Sequence, residues 1–262
     1  MRIVSLTCSN TEIVASIGCA DLLVGIDDYS DYPPDVVAKL PRVGRDLNID
    51  IEKVARLKPD LVLASLTVPG HEEVVEGLHS AGLPYIVLEP VRLDDVYRDI
   101  LHIGELLGES KNAQRCVSQM QQKISSTVQP SQIHSLMIQW WPKPVIAPGK
   151  LSWTEDLLEA AGLVNPIGNR EVKSTPLTDE EVLELNPDAV AISWCGVQHD
   201  KYRPKVVYRN SNWKDANFVR NKHVFTIPEA YLGRPSPRLV DGYAELKKIA
   251  SQLNATANHP IN

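Results

Sequence analysis

One segment of this 262-residue chain is written twice. Glu52-Lys-Val-Ala-Arg-Leu-Lys-Pro-Asp-Leu-Val-Leu-Ala-Ser65 is matched 128 positions later by Glu180-Glu-Val-Leu-Glu-Leu-Asn-Pro-Asp-Ala-Val-Ala-Ile-Ser193. Glu, Val, Leu, Pro, Asp, Val and Ser recur at equivalent places. In each copy a short helical pattern breaks before the proline, which disfavours helix in the residue ahead of it, and an apolar run follows. A fainter echo pairs Thr11-Glu12 with Thr154-Glu155, each opening a helical stretch that ends at Gly18 or Gly162. A helix–strand unit repeated in both halves of a chain specifies two similar lobes.

The rest of the pattern agrees. Arg2 to Leu6, Leu22 to Ile26, Leu61 to Ala64 and Tyr85 to Leu88 read as strands, with Ser9 or Asn10 capping the first helix and another helix over His71 to Gly82. Continuous apolar strands separated by helices indicate parallel sheets covered on both faces. From Leu93 to Thr127 there is no proline, and Val96, Ile100, Ile103, Leu107, Val117, Met120 and Ile124 recur at helical spacing. This predicts one helix of ~35 residues and ~50 Å, bent near Gly108 and ended by Pro130-Ser131. Alternation resumes at Leu136 and runs to Ile227; Leu239, Tyr243, Leu246, Ile249 and Leu253 then mark a last helix. The expected fold is α/β: two parallel-sheet lobes joined by one long linking helix, with a ligand cleft between them. The expected boundaries are 1–92 for the first lobe, 93–128 for the linking helix, 129–236 for the second lobe, 237–254 for a C-terminal helix and 255–262 for a loose tail.

Composition closes off several classes. The chain is 43% hydrophobic and 23% charged, with a net charge of −6. It carries no apolar run of ~18–20 residues, so no membrane span is expected. The acidic balance argues against a nucleic-acid partner. Cys8, Cys19, Cys116 and Cys195 show no disulfide or metal spacing. The chain opens directly on a strand pattern with no apolar leader, which predicts a cytoplasmic protein if Met1 is the native start.

Motifs for chemistry are sparse. GxGxxG, HExxH and GxSxG are absent, and Gly149-Lys150 lacks the rest of a phosphate loop. His71 and His79 with Glu72 form a candidate metal set, against the plainer reading of solvated helix histidines. Cys195 before Gly196 is a candidate nucleophile, against a buried or cleft-wall cysteine. Asp27-Asp28 and Glu180-Glu181 read as solvated carboxylates near helix ends rather than acid/base pairs.

Aromatic and cationic residues gather instead at strand ends and loops. Tyr29 and Tyr32 follow the second strand, Trp140-Trp141-Pro142 follows the strand from Leu136, and Trp194 follows the strand ending at Ser193. Tyr231, Arg234 and Arg238 precede the last helix. Aromatic faces offer rigid contact area to a bulky ligand, and arginine forks suit carboxylate or phosphate. These residues point to a binding cleft.

Taken in order, Arg2-Ile-Val-Ser-Leu, Ser9-Asn-Thr-Glu12, Tyr29-Ser-Asp-Tyr-Pro-Pro34, Leu57-Lys-Pro-Asp-Leu-Val62, Trp140-Trp-Pro-Lys-Pro144, Pro148-Gly-Lys150 and Arg234-Pro-Ser-Pro-Arg-Leu239 carry a resemblance over nearly the whole chain. The chain resembles the helical-backbone class of ABC-transporter substrate-binding proteins, most nearly its cobalamin-binding branch. The resemblance implies a non-enzymatic monomer that holds ligand between two lobes and hands it to a membrane permease with ATPase subunits. It implies a periplasmic or cell-surface location, no intrinsic cofactor, and a cobalamin-like corrinoid as the transported ligand. By position, Tyr29 matches an aromatic that packs on the corrin, Trp140 falls where cobalamin binders have Phe, Tyr231 where they have Trp, and Arg238 matches their Ser-Pro-Arg arginine. Asp46, Ser65 and Ser174 stand where a cobalamin binder carries Trp, so aromatic area is lost there, while Trp141 and Trp194 restore some. Tyr32, Arg45 and Arg234 complete the expected ligand set. Arg45, Arg234 and Arg238 suit carboxylate-bearing ligands, so a ferric siderophore, a haem-like macrocycle and a cytoplasmic corrinoid-handling role are the alternatives. Glu52 and Glu180 resemble the paired carboxylates that dock the permease.

Overall fold

A computed structural model of the chain describes residues 1–125 and 133–258. The chain divides into two compact units, Met1–Pro90 with Asp94–Met120, and Val91–Leu93 with Gln121–Asn262. In the first, β1 (Ile3–Ser5), α1 (Cys8–Ser16), β2 (Leu23–Ile26), α2 (Pro34–Val37), the short hairpin β3 (Gly44–Arg45) and β4 (Asn48–Ile49), α3 (Ile51–Arg56), β5 (Leu61–Ser65), α4 (His71–Ser80) and β6 (Tyr85–Leu88) follow in order. α5 (Leu93–Leu106) and α6 (Ser110–Lys123) come next. The second unit continues with β7 (His134–Gln139), β8 (Trp141–Pro142), β9 (Val145–Pro148), α7 (Trp153–Ala161), β10 (Leu163–Val164), β11 (Ser174–Leu177), α8 (Asp179–Leu185) and β12 (Ala189–Ile192). It closes with α9 (Lys205–Tyr208), α10 (Asn217–Arg220), β13 (Val224–Thr226), α11 (Glu229–Leu232) and α12 (Leu239–Asn258).

Each unit is built on a four-stranded parallel sheet, in the order β2-β1-β5-β6 and β10-β7-β12-β13. The first strand of each sheet therefore lies between the second and third in sequence. That order creates a switch point, β1 against β5 and β7 against β12, where crevices open beyond the carboxyl ends of the strands. The duplicated segment forms α3–β5 in one unit and α8–β12 in the other. Its helices end the same way, with Lys58 at φ 47° and Asn186 at φ 43° in the left-handed region before Pro59 and Pro187. The aspartates that follow also act alike. Asp60 accepts the Arg2 backbone N–H at 2.7 Å, and Asp188 accepts that of Ser135 at 2.8 Å. In both units this carboxylate fastens the start of the first strand to the start of the third. The fainter echo lands on α1 and α7, where Thr11, Glu12, Thr154 and Glu155 are all buried.

Separate cores fill the units. Val4, Leu6, Val54, Val62 and Leu78 pack in the first; Met137, Ile167, Val182, Ile192 and Phe218 pack in the second. Truncating such residues to Ala costs ~2–5 kcal/mol.

Three details differ from expectation. The first helix starts at Cys8, so Thr7 is its N-cap and makes no side-chain cap bond. Ser9 and Asn10 sit buried in its first turn, where Asn10 Nδ2 donates to the carbonyls of Leu63 at 3.3 Å and Ala64 at 3.2 Å. The last helix runs on to Asn258. The single helix expected over 93–128 is two helices. Gly108 takes φ +73°, its N–H bonds to Glu105 O at 3.2 Å, and the Glu109 N–H bonds to Gly104 O at 2.7 Å. This is a Schellman stop, which a left-handed glycine makes at low cost. The second helix then folds against the first so closely that a Cβ on Gly104 would lie 2.3 Å from the Ala113 Cβ. The expected stop at Pro130-Ser131 lies outside the described residues.

The break has a sign test. In a continuous helix Gly108→Ala would gain ~1 kcal/mol. At a left-handed stop it loses ~1 kcal/mol, because the new Cβ crowds the backbone. Urea unfolding should show the midpoint falling in this variant.

Candidate ligand-binding site

In the first unit the expected residues collect along the carboxyl edge of the sheet. Tyr29 and Tyr32 follow β2 and are each 44% exposed, unusual for rings that a core would otherwise claim. The strand-like stretch 42–44 runs beside 26–28: Val43 N–H bonds to Ile26 O at 2.9 Å and Asp28 N–H to Gly44 O at 2.8 Å. This brings the β3–β4 hairpin, with exposed Arg45 at its tip, next to the tyrosine loop. Asp46, half-buried in the hairpin turn, accepts the Leu47 N–H at 2.9 Å, and its other oxygen lies 3.7 Å from His71 Nε2. Ser65 ends β5, buried, with its hydroxyl 3.0 Å from that of Thr67.

Asp27 corrects the reading of a solvated carboxylate. It is fully buried and accepts the backbone N–H groups of Tyr29 at 2.9 Å and Ser30 at 3.1 Å. Arg42 was not singled out by sequence at all. Its guanidinium donates to the carbonyls of Asp27 at 2.9 Å and Ser30 at 2.6 Å. No local pattern announces either role, because the partners are backbone atoms of a loop.

In the second unit Trp140 leaves β7 at the switch point. Its N–H bonds to Ile146 O at 2.8 Å and its carbonyl accepts from Cys195 N at 3.0 Å. The ring is half-buried, and its buried Nε1 has no hydrogen-bond partner among the described residues. Trp141 stands exposed on the small antiparallel sheet β11-β9-β8, which also carries exposed Ser174. Trp194 lies in the core, 6% exposed, with Nε1 donating to Gln139 Oε1 at 3.0 Å and its ring 5.5 Å from that of Tyr202. Beyond β13, Arg238 lies over the Tyr231 ring, 5.0 Å from its centroid. Arg234 is paired with Glu229 through Nε and Oε2 at 3.1 Å, both side chains largely buried. Sequence reading named the arginine and missed the glutamate, five residues upstream in another element.

Glu52 and Glu180 occupy equivalent places, the second residue of α3 and of α8, both exposed. A crossover helix runs antiparallel to its strands, so its first turn lies at the carboxyl edge of the sheet. Asp50 caps α3 by accepting from Lys53 N at 2.9 Å. Thr178 and Glu181 form a reciprocal capping box on α8. Glu181 is therefore a cap and also pairs with Arg170 at 3.0 Å.

The candidates for other chemistry separate. His71 is buried at the start of α4 while His79 is exposed near its end, and Glu72 accepts the Gly70 N–H at 2.7 Å. Among the described residues no three His, Cys, Asp or Glu come together as a metal set. Cys195 is exposed, yet desolvation by the surrounding protein, with the Glu229 carboxylate adding to it, pushes its thiol upward. A thiol shifted that way holds less thiolate and is a weaker nucleophile at neutral pH. Alkylation by iodoacetamide at pH 8 should be slower at Cys195 than for free glutathione, rising only as the pH climbs beyond 9; a faster reaction would contradict this environment.

Comparison with known proteins identifies the family. Residues 3–231 match the family described as periplasmic binding protein. The chain is 31% identical over 254 residues to the uncharacterized ABC transporter substrate-binding lipoprotein YvrC of Bacillus subtilis, across 94% of this chain and 78% of that protein. It is similar to the periplasmic vitamin B12 binding protein BtuF of Vibrio cholerae, with a TM-score of 0.77, 25% identity and 96% and 97% of the two chains covered. The periplasmic heme-binding protein RhuT from Roseiflexus sp. RS-1 shares the fold, with a TM-score of 0.83, 21% identity and 97% and 98% coverage. Such proteins carry ligands and catalyse nothing, which removes the enzymatic reading of Cys195. The chain belongs to the periplasmic binding protein family, as the substrate-binding protein of an ABC transporter that delivers a small molecule to its permease.

Proposed function

We propose that the delivered molecule is a corrinoid, with cobalamin as the type ligand. One observation carries this reading: each unit offers aromatic surface at the carboxyl edge of its sheet, and the second adds a cation stacked on it. Tyr29 and Tyr32 stand exposed in the first, and Arg238 rests on Tyr231 in the second. A corrin gives aromatic rings a broad apolar face, and its amide and phosphodiester groups suit an arginine fork. The likeness to the vitamin B12 binding protein of Vibrio cholerae supports the same class. Tyr29, Tyr32, Arg45, Trp140, Trp141, Tyr231 and Arg238 are the residues that meet the ligand, with Asp46, Ser65 and Ser174 widening the space where bulkier side chains would narrow it. Trp194 and Arg234 act from behind, one through the core and one through Glu229. The protein works as a monomer, and ATPase subunits bound to the permease drive the transport.

Titration of the five tryptophans with cyanocobalamin, checked by calorimetry because corrinoids absorb light, tests the ligand. Saturation at one equivalent is expected. No heat with cyanocobalamin, and saturable binding of haemin or a ferric hydroxamate, would overturn the corrinoid reading.

Glu52 and Glu180 dock the permease in this proposal. Their exposure leaves both carboxylates available to arginines of a partner. Glu52→Lys and Glu180→Lys should each lower uptake by reconstituted transporter at least tenfold while leaving ligand affinity in solution within twofold. Unchanged uptake in both variants would remove the assignment.

A further inference from the structure

The loop that carries Tyr29 and Tyr32 is held from both sides. Below it, Asp27 gathers the loop's donors: the Tyr29 and Ser30 N–H groups, and the Ser30 hydroxyl at 2.5 Å. The Ser30 hydroxyl also lies 2.9 Å from that of Thr11, which donates to Ser5 Oγ at 2.8 Å, so the loop is linked into α1 and β1. Across from it, Arg42 gathers the loop's acceptors: the carbonyls of Asp27 and Ser30, and that of Val37 at 3.4 Å. Asp28 adds a third tie, accepting the Gly44 N–H at 3.2 Å. A loop bearing two half-exposed rings thus has the N–H groups of Tyr29 and Ser30 and the carbonyls of Asp27 and Ser30 bound by two side chains of opposite charge.

We propose that Asp27 and Arg42 are positioning residues of the ligand site, fixing the Tyr29 ring in its binding pose before any ligand arrives. The inference rests on the reading of Tyr29 as a ligand contact. Asp27 is fully buried, so it acts through the loop and not by touching ligand. The physical gain is in entropy. An exposed aromatic loop that must order on binding loses affinity, and one ordered in advance does not. The chemistry of each brace is specific. A carboxylate accepts several N–H and O–H groups at once, whereas an amide presents donors of its own toward them. A guanidinium reaches several carbonyls in one plane, which a lysine ammonium does not reproduce. Asp27→Asn and Arg42→Lys therefore keep size or charge while breaking the brace.

The test labels all eight tyrosines with 3-fluorotyrosine and assigns the Tyr29 fluorine line by its loss in Tyr29→Phe. The wild type should give one narrow Tyr29 line without ligand. In Asp27→Asn and Arg42→Lys that line should broaden or split, while the lines of buried Tyr202 and Tyr243 stay in place. Affinity for cyanocobalamin should fall about tenfold in each variant, yet by less than twofold when Tyr29→Ala is already present, because the brace then has nothing to position. An unchanged Tyr29 line in both variants, or an affinity loss undiminished by Tyr29→Ala, overturns the proposal. Should the wild type bind no cyanocobalamin, the corrinoid reading alone fails and the fluorine lines decide the positioning claim by themselves. Ser30→Ala removes only the hydroxyl link between Asp27 and Thr11 and is read the same way if either brace variant does not fold.

Discussion

The structure depends on one interaction made twice, the carboxylate of a Pro-Asp step taking a backbone N–H at the start of the neighbouring strand. Asp60 does this for Arg2 and Asp188 for Ser135. The bond sets the register of the first strand against the third, and a slip of one residue would turn every side chain to the other face. Ser5 and Ser65, or Gln139 and Ser193, then arrive at the same carboxyl edge. Beyond that edge the chain has little regular structure to keep, so loops there are free to carry recognition. Thus one aspartate at the far end of each sheet, exposed Asp60 and half-buried Asp188, fixes where the candidate ligand residues stand.

What those loops carry differs between the units although the frames match. The first unit presents tyrosines on a loop braced by Asp27 and Arg42, with a hairpin bearing Arg45 alongside. The second presents Trp140 at the switch point and a cation on Tyr231 beyond the last strand. Several polar groups near these rings serve the frame rather than ligand: Glu229 holds Arg234, Gln139 holds the Trp194 indole, and Tyr202 donates to the Trp194 carbonyl at 3.1 Å. The charge and aromatic area offered to ligand are therefore smaller than a count along the sequence suggests.

The legible parts of the chain were those whose physics is local. The Lys-Pro-Asp and Asn-Pro-Asp steps marked helix end and strand start in both units, and the apolar strands declared parallel sheets. The break at Gly108 was misread as a bend because apolar spacing continues across it; only the left-handed φ and the reach of the Glu109 N–H back to Gly104 make it a stop. The first helix is capped by Thr7 rather than by Ser9 or Asn10, good caps by type, and Asn10 is turned instead toward the carbonyls of β5. At the site, residue types single out Tyr29, Trp140 and Arg238, which stand in the loop after β2, at the end of β7 and just before α12. They left Asp27 as a solvated carboxylate and passed over Glu229, because the burial of both is a matter of tertiary packing. Pairings of this kind carry no periodicity and so leave no sequence trace.

The central proposal is that the delivered ligand is a corrinoid that Tyr29 and Arg238 both contact. Equilibrium dialysis of cyanocobalamin against Tyr29→Ala and Arg238→Ala tests it most directly, since each substitution removes the leading contact from a different unit. The proposal predicts that each variant weakens binding at least tenfold, about 1.4 kcal/mol or more, while the wild type binds a single equivalent. Full affinity in either variant, or two independent equivalents in the wild type, would contradict it.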